Sequence, residues 1–311
     1  MFSHLLFCMG LAVATPQAEP LQVVVTTSDL ADLVGQLGGE SIQVVPLVPG
    51  AVDPHSVMPK ASMLIKLKRA DALVSMGMGF EHAFLPALLE KSGRDDFGRG
   101  ATDISQGGTR HLLASSFIGP PLEVPKKLDR SQGVDVHPLG NPHWNTDPIL
   151  MQKVGAGVRD FLETLAPNDQ AGIRSRWKKW DDQLSAHIQH WQAWLRPARG
   201  QAMVTYHRSW SYFARRFEVS LLGEVEPKPG MPPSTRHLAQ LARTMKASGC
   251  KVLLMAPWYN EGKLGNLPKM IQFQIVKSAS VSGREGYIAW MHSLVSQLAV
   301  AWGLPEPKGS P

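Results

Sequence analysis

The sequence predicts an α/β protein with two lobes, and three observations support this fold class. Segments typical of buried strands alternate with segments typical of amphipathic helices, as in parallel sheets that are covered by helices. One long helical stretch divides this alternation into two runs. The chain has 311 residues, 43% of them hydrophobic, which is enough for two cores of ordinary domain size.

The first run begins with residues 21–27, which contain three consecutive valines and are typical of a buried strand. Ser28 and Asp29 follow it and offer an N-cap for a helix over 30–37. The remaining elements predicted in this run are a strand over 42–48, a helix over 61–69, a strand over 72–76 and a helix over 148–165. Between 98 and 140 the sequence is rich in Gly, Pro, Ser and single charges, which predicts a long loop.

The dividing stretch, residues 170–195, has an apolar residue at every third or fourth position. This spacing predicts one apolar stripe on a helix of about seven turns. The residues of the stripe are Trp177, Trp180, Leu184, Ile188, Trp191 and Leu195. We therefore expect a stiff helical connection between the two runs.

The second run has the same alternation as the first. Its predicted strands are 201–206, 219–225, 251–256 and 273–278, and its predicted helices are 234–247 and 286–301. The sequence thus predicts two Rossmann-like lobes joined by a long rigid helix, with a cleft between the lobes. The expected boundaries are an N-terminal lobe over 19–165, a linking helix over 166–199 and a C-terminal lobe over 200–311.

The first 18 residues contain no Lys, Arg, Asp or Glu and include an apolar run followed by small residues. This composition predicts a secretory signal peptide over 1–18, because the apolar run is too short to span a bilayer. We therefore expect the mature protein to be exported and soluble.

The net charge is +6, with 32 basic and 26 acidic residues. The basic residues are scattered, and no aromatic and basic signature of RNA binding accompanies them, so the sequence does not favour a nucleic-acid partner. We expect a monomer.

Three of the eleven histidines lie in turn-rich segments just after predicted strands or before a predicted helix. His55 follows the strand over 42–48, and His207 follows the strand over 201–206. His143 precedes a helix for which Asp147 can be the N-cap and Pro148 the first residue. Ligand sites of open α/β sheets lie at the carboxyl ends of the strands, and imidazole suits transition metals. The three histidines could therefore form a metal site in the cleft, although their sequence spacing alone does not establish one.

The segments around these histidines resemble those of the zinc and manganese periplasmic receptors of ABC importers. The resemblance covers nearly the whole mature chain, including the plan of two lobes and one long helix. It is carried by Asp53-Pro54-His55, by Asn141-Pro142-His143-Trp144 with Asp147-Pro148, by the segment 206–213 around His207, and by the segment 226–230.

The resemblance implies that His55, His143 and His207 are metal ligands. It also implies that the chain is a periplasmic solute-binding protein and not an enzyme. Such a protein captures a divalent transition metal and delivers it to an ABC permease with its ATPase.

One departure from the family pattern concerns the fourth ligand, for which the family usually supplies an Asp after the last strand of the second lobe. Ser280 stands there, and the surrounding stretch 277–283 has no carboxylate. A water, Glu285 or His137 could take this place. Three imidazoles without a carboxylate favour Zn²⁺ over Mn²⁺, while another divalent transition metal remains open.

Two alternatives stay open at this point. Three histidines with a bound water are also the constellation of a zinc hydrolase, for which Glu226 and Glu285 are the candidate general bases. An adhesin or a metal chaperone of the same fold is the other alternative.

Overall fold

The structure is a computed structural model, and it describes residues 19–98, 107–126, 137–228 and 230–307. The predicted signal peptide, residues 1–18, lies outside the described residues. Two parallel-sheet α/β lobes and a long joining helix are present, so the predicted fold class is confirmed.

The first lobe contains a four-stranded parallel sheet in the order β2-β1-β3-β4. Its central strand β1 is fully apolar at Val23, Val24 and Val25, all of which are buried, because helices cover both faces of the sheet. The elements of this lobe are β1 (Leu21–Val25), α1 (Ser28–Gly38), β2 (Ile42–Pro46), α2 (Ala61–Arg69), β3 (Ala72–Ser75), α3 (Leu85–Ser92), β4 (His111–Leu113) and α4 (Pro148–Leu165).

Three details of this lobe differ from the prediction, and one of them is the helix α3, which the sequence did not predict. The N-cap of α1 is Thr27 and not Ser28 or Asp29, since Thr27 has an extended backbone and its side chain accepts a hydrogen bond from the Leu30 N–H. The segment predicted as a long loop contains β4, which is short and pairs in parallel with β3. A strand of three residues shows too little alternation for its sequence to reveal it.

The second lobe repeats the same strand order as β6-β5-β7-β8, again all parallel. Both sheets therefore place the carboxyl ends of their central strands where connecting loops can form a shared cleft. The elements are β5 (Ala202–Thr205), α6 (Ser211–Phe217), β6 (Ser220–Glu224), α7 (Thr235–Ser248), β7 (Val252–Met255), α8 (Leu267–Met270), β8 (Gln274–Lys277) and α9 (Tyr287–Ala301).

The joining helix α5 (Gln170–Leu195) has 26 residues, a length of about 39 Å at 1.5 Å per residue. It packs against α1 and α4 of the first lobe and against α9 of the second. Five residues of the predicted apolar stripe are buried, whereas Trp177 is half-buried beneath the guanidinium of Arg159. One continuous apolar core therefore extends through α5 from one lobe to the other.

A helix that crosses a bilayer needs about 20 predominantly apolar residues. Across the four described ranges, no helix has both the length and the apolar character that crossing a bilayer requires.

Candidate metal centre

His55 lies on the loop that follows β2. It is the second residue of a short 3₁₀ helix, Pro54–Ser56, whose N-cap is Asp53. The Asp53 carboxylate accepts a hydrogen bond from the backbone N–H of His55 at 3.1 Å. This cap fixes the turn, so that the imidazole lies at the cleft.

His143 lies just before α4, in the segment that the sequence predicts to be fixed by the start of a helix. That prediction is confirmed, because Asp147 caps α4 and Pro148 is its first residue. Asn141 Oδ1 accepts two hydrogen bonds of 3.0 Å, one from the His143 backbone N–H and one from its Nδ1–H. The ring lone pair of His143 is therefore on Nε2.

His207 follows β5 in the second lobe, and its partner is Glu226. The Glu226 carboxylate lies 2.9 Å from His207 Nδ1 and, being an acceptor, places the hydrogen on that nitrogen. The lone pair of His207 is therefore also on Nε2. Histidines that bind metals usually have such a carboxylate or carbonyl oxygen at the other ring nitrogen.

The structure brings the three predicted histidines together across the cleft. One ring nitrogen of each lies within 4.8 Å of those of the other two. Nε2 of His55 is 3.3 Å from Nε2 of His143. Two nitrogens bound to one tetrahedral zinc at about 2.0–2.1 Å are about 3.3 Å apart, so this spacing suits a shared ion.

Burial keeps the imidazole of His143 neutral. His143 is 1% exposed, and desolvation holds its pKa well below the usual 6.5, with further lowering from His55, His207 and His137. A neutral imidazole is the form that binds a cation, so protons compete weakly at this nitrogen near neutral pH.

Aromatic side chains enclose the three rings. Phe80 packs edge-on against His143, and its ring also lies 5.8 Å from that of His55. Trp210 lines the cleft beside His207, whereas the fully buried Trp144 donates its indole N–H to the Met76 carbonyl. These side chains exclude water from the inner side of the cleft.

The structure separates the candidates for a fourth ligand. Ser280 is buried and lines the same cleft as His55 and His207. Glu285 is exposed and accepts the backbone N–H of Gly283 at 3.0 Å, so it does not turn into the site. The ring of His137 lies 5.3 Å from that of His55. Within the described part of the chain, the clusters with metal-ligand spacing contain histidines and no carboxylate.

Glu226 and Glu285, the candidate general bases of a hydrolase, are both engaged elsewhere. Glu226 lies at Nδ1 of His207, on the opposite edge of the ring from the Nε2 lone pair. The carboxylate thus orients the His207 imidazole, and the ring separates the carboxylate from the Nε2 edge.

Sequence reasoning missed two residues of this region. His82 has its ring 5.6 Å from that of His55, although it has no partner in the sequence pattern. The signal that could have found it is its place shortly after β3, on the same edge of the sheet as His55. Asn141, the orienting partner of His143, stands within a recognised motif, but the sequence did not reveal this role.

Comparison with known proteins gives one family. The family model described as "ZnuA: Zinc-uptake complex component A periplasmic" matches residues 23–301, which is most of the chain.

Sequence similarity to individual proteins supports this family assignment. A protein of Treponema pallidum with the name "Putative metal-binding protein" is 40% identical over 245 residues, which cover 76% of this chain and 71% of that protein. The zinc-binding lipoprotein AdcA of Streptococcus pneumoniae is 22% identical over 227 residues, or 73% of this chain. The manganese-binding lipoprotein MntA of Bacillus subtilis is 23% identical over 212 residues, or 66% of this chain. The matches span 43% of AdcA and 60% of MntA.

A crystal structure of ZnuA has the same fold. It superposes with a TM-score of 0.74 at 22% identity, and the match covers 91% of this chain and 99% of that chain.

Proposed function

Since the chain belongs to the ZnuA family of periplasmic zinc-uptake components, we propose that it is an extracytoplasmic solute-binding protein for a divalent transition metal. In this proposal the metal is the cargo, held between the lobes by His55, His143 and His207. The protein binds and releases the ion and performs no chemical reaction on it.

The observation that carries the proposal is the convergence of three imidazoles from three separate loops. Two loops belong to the first lobe and one to the second, so an ion bound by all three holds the lobes together. Asn141 and Glu226 fix the tautomers of two ligands. Orientation before binding reduces the entropy that metal capture would otherwise cost.

The donor set supports zinc as the preferred cargo. Imidazole nitrogen suits zinc, whereas manganese prefers harder oxygen ligands and a higher coordination number. The Glu226 carboxylate is hydrogen-bonded to Nδ1 of His207. Ser280, in place of the expected Asp, adds no negative charge, and a water completes four-coordination in our proposal.

The proposed partners are an ABC permease and its ATPase in the cytoplasmic membrane. The family description, a periplasmic component of an uptake complex, supports this role and a periplasmic location. We propose that the protein acts as a monomer that gives its ion to the permease.

Metal analysis and zinc titration of the purified protein test the proposal. We expect the wild type to bind one equivalent of zinc tightly, and His143→Ala and His207→Ala each to weaken binding more than about 100-fold, because losing a ligand costs more than losing its orienting partner. His237→Ala is the matched control, since His237 bonds to the Glu224 carbonyl and belongs to neither histidine cluster. Wild-type affinity in His207→Ala would refute the assignment.

A further inference from the structure

A second triangle of histidines lies beside the candidate metal centre. His82 and His137 join His55, and one ring nitrogen of each residue lies within 4.8 Å of the other two. The ring centres are 5.6 Å apart for His55 and His82, 5.3 Å for His55 and His137, and 5.5 Å for His82 and His137. We call this set the outer triangle, and His55, His143 and His207 the inner triangle.

The two triangles have nearly the same dimensions. In the inner triangle the ring centres are 5.4 Å apart for His55 and His143, 5.6 Å for His55 and His207, and 5.8 Å for His143 and His207. Three imidazoles on one tetrahedral zinc have ring centres about 5.2 Å apart, given nitrogens at about 2.0–2.1 Å from the ion. The outer triangle therefore suits the same class of ion as the inner one.

The local backbone fixes His82 in this position. Gly77, Met78 and Gly79 follow β3 with positive φ angles of 82°, 57° and 77°, which reverse the chain. The Gly79 carbonyl lies 3.1 Å from His82 Nδ1 and can only accept, so that nitrogen carries the hydrogen and Nε2 the lone pair. His82 thus has the same kind of orienting partner as His143 and His207.

The adjacent Glu81 strengthens this turn. It is 3% exposed, and its carboxylate accepts hydrogen bonds from the Met76 N–H at 2.6 Å and from the Thr26 hydroxyl at 2.5 Å. The turn that carries His82 is therefore tied to β1 as well as to β3, and His82 projects from a rigid support.

Burial differs between the two triangles. His143 and His207 are buried, whereas His55 and His137 are half-buried and His82 is more exposed than either inner ligand. An ion from solvent therefore meets His82 and His137 before it meets His143 and His207, and His55 lies between the two pairs.

We propose that the outer triangle is a second binding position for the same divalent transition metal and the entry step to the inner triangle. This inference rests on the proposed function. A neutral imidazole has one lone pair for an ion, so the shared His55 allows the two positions to be filled one at a time. The ion moves inward by ligand exchange: its bonds to His82 and His137 break, bonds to His143 and His207 form, and His55 stays bound. No proton or electron is transferred.

The first test isolates the outer position. The double variant His143→Ala/His207→Ala retains the outer triangle, and its folding is checked by circular dichroism. We expect it to bind one equivalent of Zn²⁺, about tenfold or more weaker than the wild type, because the outer ligands are less preorganised. Co²⁺ as a spectroscopic probe should give the visible absorption of a tetrahedral site. Adding His82→Ala and His137→Ala should abolish both signals.

Two results would overturn the outer position: a folded double variant that binds no Zn²⁺, or binding that survives the removal of His82 and His137. The second result would place the ion elsewhere. Because this variant lacks two inner ligands, its outcome does not depend on whether the wild type has a tight site. Failure of the outer position and failure of the proposed function are thus separate observations.

The second test addresses entry. In an otherwise wild-type chain, His82→Ala/His137→Ala should still bind one equivalent of Zn²⁺, but stopped-flow association should be slower by about tenfold, since encounter then requires direct access to buried ligands. His237→Ala is again the control. An association rate equal to that of the wild type would refute the entry role.

Discussion

At the scale of single residues, the hydrogen bond between Glu226 and His207 has consequences for zinc affinity. The carboxylate selects the tautomer of the imidazole and places a negative charge behind a ligand. The Glu226 carboxylate lies 2.9 Å from Nδ1 of this inner imidazole.

Replacing Glu226 with Gln should weaken zinc binding by about 10-fold, at the lower end of the usual 10–100-fold effect of such partners. The amide oxygen can still accept the Nδ1–H, but the negative charge is lost. Isothermal titration with Zn²⁺ measures the change. The matched control is Glu224→Gln, because Glu224 pairs with the exposed Arg208. Equal losses in the two variants would contradict the orienting role.

The sequence predicted the three histidines that meet in the cleft better than their surroundings. His55, His143 and His207 follow a general rule about strand ends, and their motifs resemble a family. His82 obeys the same rule, but no motif marks it. The partners Asn141 and Glu226 were visible as residues, whereas their roles depend on contacts between loops distant in sequence.

At the scale of elements, the packing of α4 on α5 requires a glycine, Gly155, where the two helices meet. A Cβ atom at Gly155 of α4 would lie 2.3 Å from Cζ3 of Trp180, a side chain of α5 that is 1% exposed. The two helices thus approach each other closely at this point, and the indole has no open space into which it can move.

Gly155→Ala should lower the free energy of unfolding by about 1–3 kcal/mol, because overpacking outweighs the gain in helix propensity of about 1 kcal/mol. Gly35→Ala in α1 is the control, since its nearest neighbour, Val44 Cγ2, is 3.8 Å away. That variant should be neutral or slightly more stable. Urea denaturation measures both, and an unchanged stability of Gly155→Ala would show that α5 can shift at little cost.

Long elements were predictable because they repeat their pattern. The stripe on α5 extends over several turns, β7 is apolar along its whole length, and β1 is apolar at four of its five positions. The short elements α3, α6 and β4 were missed. Each has too few residues to show a period, and their burial depends on neighbours from other parts of the chain.

At the scale of the whole molecule, Asp29 joins the two lobes. Its carboxylate accepts hydrogen bonds from the Ser282 backbone N–H at 2.7 Å and from Asn145 Nδ2 at 3.0 Å. Asn145 also donates to the Ser280 carbonyl at 2.7 Å. Despite these bonds, complete burial raises the pKa of Asp29 from 3.8 to about 6.

The raised pKa makes one part of the stability depend on pH. Since the folded state binds this proton more tightly than the unfolded state, the contribution is present below pH 3.8 and is lost as the pH rises through about 6. The full change corresponds to roughly 3 kcal/mol.

We expect the difference in unfolding free energy between wild type and Asp29→Asn, both metal-free, to change in favour of the variant by roughly 2.4 kcal/mol from pH 4 to pH 7. Urea denaturation at several pH values measures it. The pKa of buried His111 is lowered to about 4, so its contribution to stability rises with pH, opposite to that of Asp29. Because both proteins contain His111, the comparison cancels this contribution. A difference that is constant with pH would contradict the account of Asp29.

The plan of two lobes and a joining helix followed from local patterns along the chain. The interface between the lobes did not, because it pairs residues that no local pattern relates. Asp29 was interpreted as part of a helix cap, and its actual contact lies 253 positions further along the chain.

That separation bears on the order of folding. Closing a loop of this length costs more entropy than closing the short connections within either lobe, so we expect contacts between the lobes to form after those within them. His55 and His143 belong to the part of the chain that precedes α5, whereas His207 becomes available only with β5. We therefore expect the two imidazoles of the first lobe to meet first during folding, and the third to join them when the interface around Asp29 closes.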